Sequence, residues 1–421
     1  MAGYIFLLAR DGVEESLKTI VKSGCFSPNI PLPKDNAASQ LWTKEAIGAF
    51  GDLITIGEGD KVFFFSERTV YGCGKAVSLH QDSCILKNYP NASRAYYAEE
   101  QNDLFLVDSL SPRFSVGDKY KGNRWFVTFE PDPFFFQDGV DMDDLLGFAP
   151  TKIRMLRVIE KVSFIKLDDD EANEIYNCIC LRTMQRKTIL NSFNTMEFSP
   201  SVHEQIREKL ASNQNPSDYI PNSKELVLNR RFVNGEIDIE MAEELALLYH
   251  LKKSNDPLFG SCDYLCQQVP ASPFKPVIYI DRIDLFGYSY LKELDGGFLS
   301  EKVKKEYLIV ELKKGIVQDI QPVVQVMKYV DFVANEYAEG DYSRIRAILL
   351  AKDFSDDVID ESIKLCQRNF TMFFKREAYP LVWQNFNLIN YQRDENSDCG
   401  LSFTQNTVFA QRHGLYGYKL L

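Results

Sequence analysis

"YLIVELKKG", residues 307–315, sets a run of mostly apolar residues ahead of Glu311 and Lys313, with Leu312 between them. Alternation along a β-strand puts Glu311 and Lys313 on one face and Val310 and Leu312 on the other. A carboxylate and an ammonium then stand side by side at the end of a strand. This is either a solvated edge, whose ion pair contributes at most about 1 kcal/mol, or half of a metal-dependent site. Among 60 acidic residues an acid-x-Lys triplet arises about four times by chance, so its surroundings decide.

Upstream, "RIDLF" (282–286) places Asp284 in an apolar strand expected to run antiparallel to 307–312. Downstream, Pro322 suits the first turn of a helix expected over 322–338, where Gln325 and Tyr329 fall four apart on one face. "RIRAILLAKD" (344–353) reads as the next strand, and strand, strand, helix, strand in that order form an α/β unit. Asp281 shares the face of Ile283 and Leu285, opposite Asp284. The preceding helix, in "IDIEMAEELALLYHLKKS", offers Glu243 or Glu244 as a further acid, and the spacing does not choose between them.

At 421 residues the chain exceeds what one core organises, so two or three domains are expected. A composition of 45% apolar and 26% charged residues is that of a globular protein. No charge-free apolar run reaches the roughly 18 residues of a membrane span, and "MAGYIFLLARDG" reads as a first strand rather than a signal peptide. Nine cysteines, an odd number, point to a reducing cytoplasm and to buried free thiols, since neither Cys178/Cys180 nor Cys262/Cys266 completes a zinc pattern. The net charge of −12 does not advertise a polyanionic partner. A local basic surface suffices for one, and Lys302, Lys304, Lys305, Lys313 and Lys314 supply it. The four histidines are scattered: His80, His203 and His413 lie in polar stretches, and His250 ends a helix.

Four segments are expected: a β-rich domain with short helices over 1–182, a helical linker over 183–240, the α/β unit over 241–390 and an exposed tail over 391–421. In the first, "YGCGK" (71–75) lacks the glycine spacing of a nucleotide loop and reads as a strand bend. "FQDGVDMDD" (136–144) lacks the alternating acid ladder of a calcium loop and reads as a solvated loop.

The set Asp284, then Glu311-x-Lys313 at a strand end, then Gln325 and Tyr329 in the next helix resembles the PD-(D/E)XK nuclease superfamily, RecB-like members included. "RIDLF…YLIVELKKG…QVMKYV…RAILLA" echoes the nuclease domains of NucS-type mismatch endonucleases and Shedu antiphage proteins over about residues 240–355. Ile283 stands where that superfamily's name puts proline. The resemblance implies a restriction-endonuclease-like fold, a mixed sheet flanked by helices. It also implies Mg²⁺ or Mn²⁺ on Asp284, Glu311 and the Leu312 carbonyl, with Asp284, Glu311, Lys313 and Gln325 catalytic. Lys314, Gln325 and Tyr329 would then contact nucleic acid. The implied partner is DNA, with RNA as the alternative, and a dimer or tetramer because one site per chain cuts one strand. The chemistry is consistent with this, since hard oxygen ligands suit Mg²⁺.

"GDKVFFFSERTVYGCGKAV" with the closing "SFIKLDDDEANEI" resembles EVE and wider PUA-like domains. That resemblance implies a flipped or modified base held among aromatics, with Trp42, Phe64, Tyr71 and Trp125 as pocket candidates. Antiphage defence or restriction is the setting expected first and mismatch or lesion repair second. A nucleic-acid or nucleotide-sensing module of nuclease fold without activity is the reading from a different class.

Overall fold

The computed structural model describes residues 2–8, 12–28, 44–86, 125–155, 164–191, 194–212, 219–228, 230–271, 281–291 and 303–417. The chain divides into two units, Met1–Asn222 and Ser223–Leu421, and both mix helices with sheet. No helix among the described residues is long and apolar enough to cross a membrane.

The first unit begins with β1 (Gly3–Leu7), α1 (Val13–Ser23), β2 (Cys25–Phe26), α2 (Lys44–Ile54), β3 (Lys61–Ser66) and β4 (Thr69–Ala76). It continues through β5 (Cys84–Leu86), β6 (Trp125–Pro131), β7 (Val140–Asp141), α3 (Met142–Phe148), β8 (Phe164–Leu167), α4 (Asp169–Leu190) and α5 (Ser201–Ser212). The sheet order is β2-β6-β4-β3-β1-β8, with β1 and β3 parallel and the other neighbours antiparallel. Helix α4 starts where Asp168 accepts a hydrogen bond from the Glu171 amide, and its acidic first turn suits the helix dipole. Its apolar face (Ala172, Ile175, Cys178, Ile179) closes one core against Ile5, Phe63 and Val70.

Phe64 lies in a cluster of rings with Phe6, Phe26, Phe129 and Phe135, and Trp125 packs on Phe50. Both are buried, so they are core residues and not walls of an open base pocket. Burying a large ring is a strong demand in any apolar core. Tyr71 is half-buried, and Trp42 lies outside the described residues. In "YGCGK" the glycines admit neighbouring rings: a Cβ on Gly72 would sit 2.8 Å from Phe63, and one on Gly74 2.8 Å from Phe129. The acidic run 136–144 is not an open loop, because Asp141 caps α3 by accepting from the Asp143 amide.

The stretch expected to be a linker, 183–240, is shared between the units: 183–222 belongs to the first and 223–240 to the second. Phe136 and Thr195 form an antiparallel bridge, and Met196 is buried. His203 of α5 is also fully buried, with Nε2 2.9 Å from the Gly24 carbonyl. Serine, asparagine and proline mark this stretch as irregular, and they are silent about whether it packs.

The second unit runs α6 (Lys224–Leu228), β9 (Phe232–Val233), β10 (Glu236–Ile237), α7 (Glu240–Lys253), β11 (Tyr264–Pro270), β12 (Arg282–Tyr290), β13 (Lys304–Val317) and α8 (Gln321–Glu336). After these come β14 (Ile345–Phe354), α9 (Asp356–Leu365), β15 (Arg368–Phe374), β16 (Glu377–Trp383), β17 (Phe386–Arg393), β18 (Leu401–Gln405) and α10 (Thr407–Gly417). Its central sheet has the order β11-β12-β13-β14-β17-β18. β11, β12 and β13 are antiparallel, β13, β14 and β17 are parallel, and β18 returns antiparallel. Alternation decides the layers. Leu308, Val310 and Leu312 of β13 join Leu285, Ile348, Leu350 and Ile389 under α7, whereas Phe286 and Tyr307 meet Tyr337 at the end of α8.

The sheet does not stop at residue 390. Leu401 and Phe409 are buried, so most of the segment expected as an exposed tail completes the sheet with β18 and covers it with α10. Its short strand, cut off from β17 by the polar turn at 394–400, carries too few apolar residues to declare itself.

Candidate functional site

The site forms where β12 and β13 part. Their pairing ends at Leu285 and Val310, although β12 stays paired with β11 as far as Arg282. Past that point Asp284 takes the place of a strand partner: its Oδ2 accepts the Leu312 amide at 2.8 Å. Asp284 and Glu311 are both buried. Lys313 donates to Glu311 Oε1 at 2.5 Å and to the Leu312 carbonyl at 2.8 Å. The expected triplet and its upstream aspartate therefore meet in space.

Acids from α7 join them. One carboxylate oxygen each from Glu240, Glu244 and Asp284 lie within 4.8 Å of one another. The two glutamates left open in the sequence take different positions. Glu244 faces Asp284, while Glu243 is fully buried beside the Tyr391 hydroxyl, with neither oxygen in a well-formed hydrogen bond. Gln268 of β11, between the Gln267–Leu285 and Val269–Ile283 pairs, donates to Glu244 Oε1 at 3.2 Å and to Asp284 Oδ1 at 3.2 Å. Its φ of 52° is unusual for a residue with a side chain, and such strain persists where the surroundings hold it for a purpose. Reasoning from the sequence missed Gln268 and Glu240. The i, i+4 spacing of Glu240 and Glu244 was the available signal.

Electrostatics mark the group as incomplete. Burial, and then the Asp284 carboxylate, push the Glu311 carboxyl up to about 9 against the pull of Lys313. Burial alone would lower the Lys313 ammonium, and Glu311 and Asp284 beside it raise it instead. Glu311 Oε2 is buried without a hydrogen-bond partner. Carboxylates crowded in this way, with one lysine among them and an orphaned buried oxygen, fit a hard divalent cation. The clustered carboxylate oxygens are those of Glu240, Glu244 and Asp284, with Glu311 beside Asp284.

Two residues expected at this site have other tasks. Tyr329 is buried, and its hydroxyl accepts from Gln325 at 2.7 Å and donates to the Arg282 carbonyl at 2.8 Å. It ties α8 to the start of β12 and does not reach outward for a polyanion. Gln325 is half-buried on the same helix face and serves that tie. Lys314 is exposed and, by alternation, lies on the face opposite Lys313. Asp281 is exposed at the foot of β12, and Lys302 lies outside the described residues. A second acidic group, Asp168, Asp169 and Asp170, sits at the start of α4, where helix capping and an ion pair between Asp168 and Arg154 account for Asp168. No protein-family model matches the chain, and no curated protein matches it.

Proposed function

We propose that the protein is a divalent-metal-dependent endonuclease of the PD-(D/E)XK type that hydrolyses phosphodiester bonds in DNA. The observation that carries this reading is the meeting of Asp284, Glu311 and Lys313 at the point where β12 and β13 part, with Glu244 from α7 beside them. Asp284, Glu311, Glu244 and the Leu312 carbonyl would hold the ion, Mg²⁺ or Mn²⁺. When bound, it supplies Lewis acidity and lowers the pKa of a water. Lys313, held on Glu311 and on the Leu312 carbonyl, presents a cation to a phosphate oxygen and can orient the attacking water. Gln268 keeps Glu244 and Asp284 turned inward, the part that outer partners play around metal ligands. Gln325 and Tyr329 act at one remove by fixing β12 on α8.

The first unit is proposed as a PUA- or EVE-like substrate reader, with antiphage defence or restriction as the setting. The order of its strands and the closing strand and helix support this. Burial of Phe64 and Trp125 removes two of the four pocket candidates. The whole reading is tested by incubating the full chain with supercoiled plasmid, linear duplex and single-stranded DNA, plain and base-modified, in Mg²⁺, Mn²⁺ or EDTA. Nicked or linear product with metal and none in EDTA is the expected result. Intact substrate under every metal condition overturns it.

A further inference from the structure

β15 and β16 stand apart from the central sheet as a two-stranded antiparallel ribbon. The base is firmly held. Arg368 grips Asp331 of α8 with two hydrogen bonds, at 2.7 and 3.0 Å, Trp383 donates to the Ile345 carbonyl at 2.8 Å, and Phe370 packs on Tyr342. From Thr371 outward the described side chains are exposed as far as Val382, including Met372, Tyr379 and Leu381. Phe373 is 75% exposed, one of the most exposed large apolar side chains described in the molecule.

The turn at the tip is Lys375-Arg376, with φ of 49° and 70°. A two-residue hairpin turn of this kind favours Asn-Gly, because both positions are left-handed, and side chains there are strained. The first unit has a comparable turn, Glu67-Arg68, which is neutral and in which Arg68 pairs with Asp143 at 2.5 Å. The ribbon's turn instead carries two positive charges, followed by exposed Glu377, in a chain of net charge −12. Pro380 lies within β16, where it removes a backbone donor and blunts the strand against pairing with another strand. An apolar ribbon with a cationic tip and a blunted edge suits a polyanion with stacked rings better than it suits a second copy of the chain.

We propose that this ribbon is an arm that binds duplex DNA, with Lys375 and Arg376 on phosphates and Phe373 against bases or sugars. A two-stranded ribbon fits the major groove, about 12 Å wide, and cations at its tip would set its position on the backbone. The choice of DNA rests on the nuclease reading above.

The test is fluorescence anisotropy of a labelled duplex with the full chain in EDTA, over a series of salt concentrations. The double variant Lys375→Asn/Arg376→Gly removes both charges while giving the turn its preferred residues, so the ribbon keeps its fold. Binding should weaken at least about tenfold, and the log–log salt slope should fall by about two. Phe373→Ala should weaken binding with the slope unchanged. Cleavage of plasmid by the same samples in Mg²⁺ separates the two readings. If the wild type binds and cuts, and the double variant binds equally well, the arm is overturned and the nuclease stands. If the wild type binds without cutting and the variant loses binding, the arm stands and the nuclease falls. A wild type that neither binds nor cuts overturns both. A variant that binds normally but sediments as a smaller species makes the ribbon a contact between copies and overturns the arm.

Discussion

Glu311 lies buried beside Asp284, and burial and the Asp284 carboxylate raise the cost of its negative charge. Replacing either with alanine should therefore cut metal-dependent cleavage by more than about 100-fold while leaving the circular dichroism spectrum intact. Undiminished cleavage by both variants would refute the assignment. Gln268→Ala should act differently, raising the metal concentration needed for half-maximal cleavage by about 10–100-fold, with the maximal rate recovered at high metal. An unchanged metal requirement would reduce Gln268 to packing. Glu243 offers a test without metal. Burial pushes its carboxyl up to about 8 from 4.5, so between those values the folded chain keeps a proton that the unfolded chain has released. Its contribution to stability is full below about 4.5 and is lost as pH rises through about 8. Glu243→Gln should then stabilise the second unit by about 1–3 kcal/mol at pH 8 and by little near pH 5, measured by urea unfolding in EDTA. Parallel pH profiles for wild type and variant would show that Glu243 does not titrate in this way.

β13 carries more of the site than any other element. Its apolar run, its alternation and the Glu311–Lys313 pair are local features, so the strand, its face and its partner β12 are legible in the sequence. The pairing of Lys313 with Glu311 follows from the same alternation. What the sequence hides is what depends on long-range packing: that Gln268 leaves the regular strand conformation to reach Asp284, and that Glu244 turns inward while Glu243 is buried beside Tyr391. Tyr329 shows the same limit. Its spacing from Gln325 is readable, but whether the pair faces solvent or the neighbouring strand is set by how α8 lies on the sheet. Just beyond Lys313 the β13–β14 register shifts, and Gly315 takes a φ of 78°. A Cβ there would meet the Glu236 carboxylate 2.7 Å away, and the Gly315 amide donates to the Tyr391 hydroxyl. Gly315→Ala should cost about 1–3 kcal/mol and displace Lys313, lowering cleavage even under conditions where the chain stays folded. Wild-type stability and rate in this variant would mean that the strand end tolerates a regular conformation.

At the scale of the molecule, the described residues of the site all lie within Ser223–Leu421, on α7, β11, β12 and β13, and each unit has an apolar core of its own. A cation held at the proposed site would bind only the folded second unit and stabilise it by mass action, about 2.7 kcal/mol at one hundred times the dissociation constant. Scanning calorimetry of the full chain should therefore resolve two transitions, of which only one moves to higher temperature as Mn²⁺ or Mg²⁺ is titrated in. Glu311→Ala should abolish that movement and leave the other transition where it was. Ca²⁺, which shares the preference for oxygen ligands, should shift the same transition without supporting cleavage, separating occupancy from turnover. A shift that survives in Glu311→Ala would place the cation elsewhere, and a shift confined to the first unit's transition would point to the acidic start of α4 instead.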